Sequence, residues 1–272
     1  MRQLCRFLSV TIVLAAAPAA ARADLTPAAT YLFQNTFAAQ EGGAPALVPV
    51  DPQATSSFVS DTVFGNTREV YNFVGNATPA TQQAGLSLDT TSLVATNNYS
   101  VEMVFKFFAG DGAWRRIVDV QNRQSDDGFY VDPGNHLNVF PLSPAGTTAF
   151  TTNAYHHVVL TQSSGSQITG YLDGHLEFTL AGNVMNIANA GNLMNFFLDN
   201  TVGGGQGEYS SGDVALIRLY NGILASDQVA RLAADPFPSS GPTAPEPSSL
   251  AMLGMGLVAL VGMGWRRSRK QA

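Results

Sequence analysis

Cysteine is almost absent from this chain of 272 residues, which contains a single copy near its beginning. Because no cysteine follows Cys5, the rest of the chain forms no disulfide bond of its own and offers no thiol nucleophile. The four histidines are not spaced like zinc ligands either. A domain of this composition must be stabilised by its hydrophobic core.

Positive charge is scarce in the middle of the chain. Of the 14 Lys and Arg residues, three lie in the first 23 residues and four in the last seven, which leaves seven between residues 24 and 244. That stretch holds 19 of the 20 acidic residues, so its formal charge is −12. Such a surface repels nucleic acid, which we exclude as a partner. Acidic polysaccharide or protein bridged by calcium remains an alternative.

The N-terminus has the layout of an export signal. Arg2 and Arg6 precede an apolar stretch from Phe7 to Ala17. Ala21 and Ala23 then form an A-x-A cleavage pattern. This order predicts a signal peptide over residues 1–23 and export of everything that follows.

The C-terminus has the layout of a second targeting segment. A triplet of Pro245, Glu246 and Pro247 precedes an apolar run from Leu250 to Trp265. The run is followed by a basic stop made of Arg266, Arg267, Arg269 and Lys270. As a helix, the run would cover roughly 24 Å against a hydrocarbon core of roughly 30 Å. We therefore predict a short transmembrane helix with a cytoplasmic basic end, and a permanent anchor is the simpler alternative.

This order of triplet, apolar run and basic end resembles the PEP-CTERM sorting signal of Gram-negative bacteria that make exopolysaccharide. The resemblance implies a transient exosortase partner that removes the tail, transient inner-membrane anchoring, and delivery to the cell surface or extracellular matrix. Exopolysaccharide becomes a candidate partner. The predicted organisation is a signal peptide (1–23), one domain (24–235), a Pro/Ser-rich linker (236–244) and the sorting tail (245–272).

The domain is predicted to be all-β. Residues Tyr99 to Phe107 alternate between apolar and polar side chains, which is typical of a strand with one buried face. Asp173-Gly174 predicts a two-residue hairpin turn, and only Ala225 to Ala233 looks helical. Further strands are predicted at Arg116 to Val120, Gly128 to Val131, His136 to Phe140, His156 to Thr161, Ile168 to Leu172, His175 to Leu180, Asn195 to Leu198 and Val214 to Tyr220. Many short antiparallel strands in one domain indicate a sandwich of two sheets.

Five segments follow one another along the domain: "YSVEMVFKF" from Tyr99, "WRRIVDV" from Trp114, "YHHVVL" from Tyr155, "YLDG" from Tyr171 and "IRLYNGILASDQV" from Ile217. This order resembles that of laminin G-like, or concanavalin A-like, domains. The resemblance implies a jelly-roll sandwich over roughly Tyr31 to Leu232. Many relatives carry an acidic calcium ligand where this chain has Ala215, so any metal site must be built elsewhere.

Catalytic patterns are missing. Relatives that are glucanases usually carry their two carboxylates on one strand as Glu-x-Asp-x-x-Glu or a close variant, and no such run occurs here. There is no G-x-S-x-G nucleophile motif. We predict a non-catalytic protein, with a glycan-cleaving enzyme built from dispersed aspartates as the alternative.

The best metal candidate is the glycine-rich loop from Asp199 to Glu208. Asp199, Asn200 and Glu208 supply oxygen atoms, and glycines let backbone carbonyls turn inward, as calcium requires. The alternative is an ordinary connection between strands in which Asp199 or Asn200 caps the turn.

A candidate ligand-binding lip is formed by Asp126, Asp127, Asn135 and Tyr130. Carboxylates and amides beside an aromatic ring suit sugars, which present apolar C–H patches between their hydroxyls. Asp126-Asp127-Gly128 is also typical of a plain hairpin turn, and Trp114 is expected to pack in the core.

Together the sequence features predict an exported, non-catalytic protein that binds glycan or serves as a structural matrix component, with a calcium-dependent protein adhesin as a further alternative.

Overall fold

The computed structural model describes residues 24–75, 82–108, 112–202 and 207–237. The predicted signal peptide, short hydrophobic helix and sorting tail lie outside these ranges. Within them, no helix is both long and apolar enough to cross a membrane. The chain divides into one compact unit that ends at Ala234 and a C-terminal unit that begins at Asp235.

Fourteen strands and one α-helix make up the described part of the chain, with a short 3₁₀ turn at Ile187–Ala190. The first five strands are β1 (Ala29–Tyr31), β2 (Val48–Val50), β3 (Ser57–Val63), β4 (Asn66–Phe73) and β5 (Gly85–Asp89). The next five are β6 (Tyr99–Phe107), β7 (Arg115–Asp119), β8 (Gly128–Val131), β9 (Leu137–Phe140) and β10 (His156–Ser163). The last elements are β11 (Gln167–Leu172), β12 (His175–Ala181), β13 (Leu193–Phe196), β14 (Gly212–Tyr220) and α1 (Ser226–Ala234).

The strands form two antiparallel sheets. Sheet A has the order β12-β11-β10-β6-β14-β4-β3, with β1 also paired to β14. Sheet B has the order β2-β5-β13-β7-β8-β9. Their facing sides enclose one core that contains a cluster of phenylalanine rings, in which Phe73 and Phe197 stack with centroids 4.1 Å apart. The predicted jelly-roll sandwich is confirmed.

Local sequence explains where several strands end. Asp173 and Gly174 both have positive φ, at 50° and 82°, as the predicted two-residue hairpin requires. The strand predicted at Asn195 to Leu198 ends two residues earlier, at Phe196. Phe197 has a φ of 62°, a left-handed conformation that cannot continue a strand.

The central strand β6 differs from its prediction, because both of its faces are buried. On the outer face of sheet A, helix α1 covers a second apolar cluster made of Val159, Tyr171, Tyr220, Leu224 and Val229. Side chains that alternation assigns to solvent, such as Ser100 and Glu102, are therefore fully buried.

Candidate ligand-binding site

Arg116 lies at the centre of the candidate site. Its side chain is fully buried against the outer face of sheet B. Nη1 donates to Asp119 Oδ1 at 3.0 Å and to the Ser125 carbonyl at 3.2 Å. Nε lies 3.4 Å from Asp199 Oδ1, and the guanidinium lies 4.6 Å from the centre of the Tyr130 ring. A buried guanidinium is costly unless it is paired, so Arg116 draws several segments of the chain around it.

Asp119 fixes the loop that follows β7. Its Oδ1 accepts from Arg116 and from the Gln121 N–H at 3.3 Å. Its Oδ2 accepts from the Arg123 N–H and from Asn195 Nδ2, both at 2.9 Å. Because four donors surround this buried carboxylate, its task is to hold the loop against the sheet.

The loop after β13 folds over the same arginine. Asp199 is fully buried, and its Oδ1 accepts from the Asn200 N–H at 2.7 Å. Its Oδ2 accepts from the N–H groups of Gly207 and Glu208, both at 3.0 Å. Asp199 thus ties the two ends of the loop together while it balances the charge of Arg116.

The turn at Asp126 and the loop at Asp199 form a single site. Asn200 Nδ2 donates a hydrogen bond to Asp126 Oδ1, and Asn200 Oδ1 accepts from the Val202 N–H at 3.2 Å. The sequence suggested a ligand lip and a separate metal loop. The structure brings both segments together around Arg116.

Glu208 has one carboxyl oxygen that is buried without a hydrogen-bond partner among the described residues. This oxygen, Oε2, lies 3.9 Å from Arg116 Nη2. Burial, followed by the charge of Asp199, raises the pKa of Glu208 to about 7, although Arg116 opposes the shift. Burial likewise raises the pKa of Asp127. Perturbed carboxyl groups of this kind are common at functional sites.

Few oxygen atoms of the predicted calcium set are open to a metal. Calcium takes six to eight oxygen ligands, whereas both carboxylate oxygens of Asp199 already accept from backbone N–H groups. In the part of the chain that the structure describes, no group of three or more His, Cys, Asp or Glu side chains is placed to hold a metal ion. Calcium binding by Asp199, Asn200 and Glu208 stays a prediction, and Glu208 Oε2 is its most available oxygen.

An aromatic corner, defined here as Trp114, Tyr130 and Phe140, adjoins Arg116. The Trp114 ring meets Tyr130 at 5.4 Å and Phe140 at 5.8 Å, both nearly edge to face. Trp114 is half-buried and Phe140 is 39% exposed. Asn138 pairs with Tyr130 across the strands, and its buried Oδ1 has no hydrogen-bond partner within the described ranges. The corner therefore combines apolar rings with an unused amide oxygen.

The predicted lip residues have different tasks in the structure. Asp126 lies beside the aromatic corner, because the Tyr130 hydroxyl donates to its carbonyl at 2.7 Å. Tyr130 itself is only 1% exposed, so its ring is covered by its neighbours, and a ligand-binding role for Tyr130 stays a prediction. Asn135 accepts a hydrogen bond from Arg115, which packs over the core ring of Phe150, so Asn135 lies on the inner side of sheet B.

Trp114 and Phe140 take the place of Tyr130 as the accessible rings. Trp114 was expected in the core, yet it packs only against the outer side of sheet B. Phe140 was not singled out, although it follows the buried Val139 at the end of a strand and so points outward. That alternation is the one local signal that identifies it.

A second charged cluster lies on the outer face of sheet A. Glu102 Oε1 lies 3.0 Å from His157 Nε2 and 3.1 Å from Arg218 Nη1, and Oε2 accepts from the Tyr220 hydroxyl at 2.5 Å. Burial alone raises the pKa of Glu102, but the contacts with His157 and Arg218 outweigh it and keep the pKa below its ordinary value. His156 is buried as well, beside Asp173, so neither of the two adjacent histidines is solvated.

Solved structures with a similar fold include carbohydrate-binding domains. Domain 4 of the extracellular arabinanase AbnA from Geobacillus stearothermophilus, determined with arabinotriose, is 15% identical; the match covers 78% of this chain and 100% of that one, with a TM-score of 0.56. Botulinum neurotoxin type C, which depends on two ganglioside molecules for cell entry, is 10% identical. The match covers 78% of this chain and 51% of that one, with a TM-score of 0.55. The binding domain of botulinum neurotoxin DC, in complex with SialylT, is 11% identical. The match covers 76% of this chain and 50% of that one, with a TM-score of 0.53.

Two family profiles match the sequence, whereas no curated protein matches it. The PEP-CTERM protein-sorting motif matches residues 243–270, which identifies the chain as an exported protein with a sorting tail. The laminin G-like profile matches residues 80–230, which is more than half of the chain. The chain therefore belongs to the concanavalin A-like lectin/glucanases superfamily.

Proposed function

We propose that this exported domain binds glycan, without cleaving it, at the surface of a Gram-negative cell or in its extracellular matrix. The observation that carries the proposal is the aromatic corner beside Asp126 and Asp127. Exposed rings can stack on the C–H face of a sugar, and amide and carboxyl oxygens accept from its hydroxyls. The glycan ligands of the structural relatives are consistent with this role and do not by themselves assign it.

The state of the carboxylates supports binding without catalysis. Glycoside hydrolysis needs two carboxyl groups that face the substrate from either side of the scissile bond. Asp119 and Asp199 are fully buried and held by several donors each, so neither can reach a substrate. Asp126 is engaged by Asn200.

A glycan-cleaving enzyme is the second candidate, and Glu208 is the observation that favours it. A general acid needs a pKa near the working pH, and burial raises the pKa of Glu208 to about 7. Its Oε2 is also free of hydrogen bonds from described residues. In this alternative Glu208 is the proton donor, and Asp126 or Asp127 is the second carboxylate.

An array of purified polysaccharides, probed with the exported protein, separates the two candidates. We expect retention on one glycan class without new reducing ends, and loss of retention in Trp114→Ala and Phe140→Ala. Phe64→Ala is the matched control, because Phe64 is 46% exposed but lies in the β3–β4 turn of the other sheet. Reducing ends that disappear in Glu208→Gln would establish hydrolysis. Equal retention of all variants would remove the aromatic corner from the site.

The tail is proposed to act as a transient membrane anchor that an exosortase removes. The short apolar run and its basic end support this routing, because the run is about 6 Å shorter than a typical hydrocarbon core. Intact-mass analysis of the protein from its native host tests the proposal. A C-terminus near the Pro245-Glu246-Pro247 triplet is expected, whereas a chain that still ends at Ala272 would show a permanent anchor.

A further inference from the structure

Lys106 occupies an unusual position on the outer face of sheet A. Six of the seven basic residues between positions 24 and 244 are arginines, and Lys106 is the only lysine. Its side chain is 15% exposed. The ammonium lies 4.7 Å from the centre of the Tyr155 ring and 5.3 Å from that of Phe108. The single lysine side-chain amine of the domain is thus largely enclosed by aromatic rings.

Two carboxylates contact this amine. Lys106 Nζ lies 2.5 Å from Asp61 Oδ2 and 3.1 Å from Asp213 Oδ2. Asp213 is opposite Lys106 on the neighbouring strand, whereas Asp61 belongs to β3, three strands away. Strands three apart in a flat sheet are separated by about 14 Å. The sheet must therefore curl at this point to bring Asp61 to the amine.

The surrounding groups are placed for an acyl transfer. The Tyr155 hydroxyl donates to Asp61 Oδ2 at 2.9 Å, on the oxygen that faces the amine. Asn72 Nδ2 donates to Asp213 Oδ1 at 2.8 Å, which leaves Asp213 Oδ2 directed at Lys106. A nucleophile, a carboxyl group, a proton acceptor and a hydrogen-bond donor are therefore in mutual contact.

We propose that Lys106 and Asp61 condense to an intramolecular isopeptide bond that joins β6 to the edge strand β3. Asp213 Oδ2 takes one proton from the ammonium, and the neutral Nζ attacks Cγ of Asp61. The C–N bond forms as the Cγ–Oδ2 bond breaks. A second proton from Nζ and the proton held by Asp213 go to Oδ2, which leaves as water. One hydrogen stays on the amide nitrogen, so no oxidant or other reactant is needed.

Proximity is the driving force of this reaction. Groups held in reactive contact behave as if present at about 10⁵ M or more, which favours condensation over the separated acid and amine. Burial alone works against both charges, but the ion pair outweighs it, so the pKa of Lys106 lies above and that of Asp61 below its ordinary value. The pair therefore starts ionised, and proton transfer to Asp213 makes the reaction slow. An arginine could not take part, because a guanidinium does not deprotonate in proteins.

Intact-mass analysis of the full chain, purified after export, tests the proposal. We expect a mass one water molecule below the value for the processed sequence. Trypsin should then fail to cut after Lys106 and should yield a branched peptide that joins residues 24–68 to residues 69–115. Lys106→Arg and Asp213→Asn should have the full mass. Glu69→Gln, on the neighbouring strand β4, should keep the loss of water.

Two outcomes overturn the inference. A wild-type protein of full mass, cut normally after Lys106, shows that Lys106, Asp61 and Asp213 form an ion cluster only. A loss of water that persists in Lys106→Arg places the loss elsewhere, for example as a succinimide at an Asp-Gly pair. The measurement on the wild-type chain decides the question even if a variant fails to fold, and neither outcome bears on glycan binding.

Discussion

Glu102 projects from sheet A and Glu208 lies against Arg116 of sheet B; burial acts on both carboxyl groups, yet their pKa values move in opposite directions. Contacts with His157, Arg218 and Tyr220 hold Glu102 ionised despite its burial. The cation beside Glu208 is Arg116, whose Nη2 lies 3.9 Å from Oε2. Burial outweighs the effect of Arg116 and raises the pKa of Glu208 to about 7. Burial therefore does not determine the charge of a carboxyl group; the donors around it do.

The difference follows from the kind of structure that supplies the donors. The partners of Glu102 all project from strands of one sheet, whose register is fixed by backbone pairing. Glu208 belongs to the connection before β14, where the best donors are already committed to Asp119 and Asp199. The Glu102 cluster is complete and structural, whereas the Arg116 site keeps unused polar capacity, as a ligand site requires.

The largest expected effect is the loss of the Glu102 charge. In Glu102→Gln the largely buried guanidinium of Arg218 loses the charge of Glu102. Breaking one partner of a buried pair typically costs about 3 to 5 kcal/mol, and we expect a loss of that size at pH 7. Urea denaturation followed by circular dichroism measures it.

The control for this variant is Glu69→Gln on β4, where the carboxyl group is only half-buried. We expect its free energy of unfolding to stay within about 0.5 kcal/mol of wild type. A Glu102→Gln protein as stable as this control would show that the Glu102 cluster contributes nothing to folding.

A smaller effect is expected when Asp199 loses its charge. Asp199→Asn removes a charged acceptor of three backbone hydrogen bonds and one partner of Arg116. Hydrogen bonds to charged groups contribute about 1.5 to 3 kcal/mol each, so we expect a loss of about 2 to 3 kcal/mol in urea unfolding.

The same variant tests the calcium prediction. If the loop binds calcium, added calcium should raise the melting temperature of the wild type and not that of Asp199→Asn. Equal melting curves with calcium and with chelator, for both proteins, would exclude a calcium site at Asp199, Asn200 and Glu208.

The sequence alone predicts some of the strands and misses others. The strands from Tyr99 onward were predictable because their apolar residues alternate and turn residues separate them. The earlier strands were missed, since β2 reads Val-Pro-Val and β3 contains serine, threonine and aspartate among its few apolar residues. Local patterns as weak as these do not reveal a strand. Pairing with β5 specifies β2, and the hairpin with β4 specifies β3.

The candidate site was predictable only in part. Asp126, Asp199 and Glu208 were singled out by their turn and loop sequences. Their convergence on Arg116 was not predictable, because it depends on β7, β8 and β13 being neighbours in one sheet. Alternation within β6 predicts that Glu102 faces solvent. No residue near Glu102 in the sequence indicates that helix α1 covers that side of the sheet.

The smallest expected effect is a gain of stability, and it depends on pH. Since the pKa of Glu208 is about 7 in the folded state and near its ordinary value when unfolded, the folded state binds more protons between these values. Its contribution to stability therefore falls as the pH rises from about 4.5 to 7, and the full cost of ionising Glu208 in the folded state is present above that range.

Glu208→Gln removes this cost, so we expect the variant to be about 1 to 2 kcal/mol more stable than wild type at pH 8 and equal to it at pH 4. Parallel urea titrations at both pH values measure the difference. A variant that is less stable at pH 8 would mean that Glu208 is ionised and paired with Arg116, and the contrast with Glu102 would then disappear.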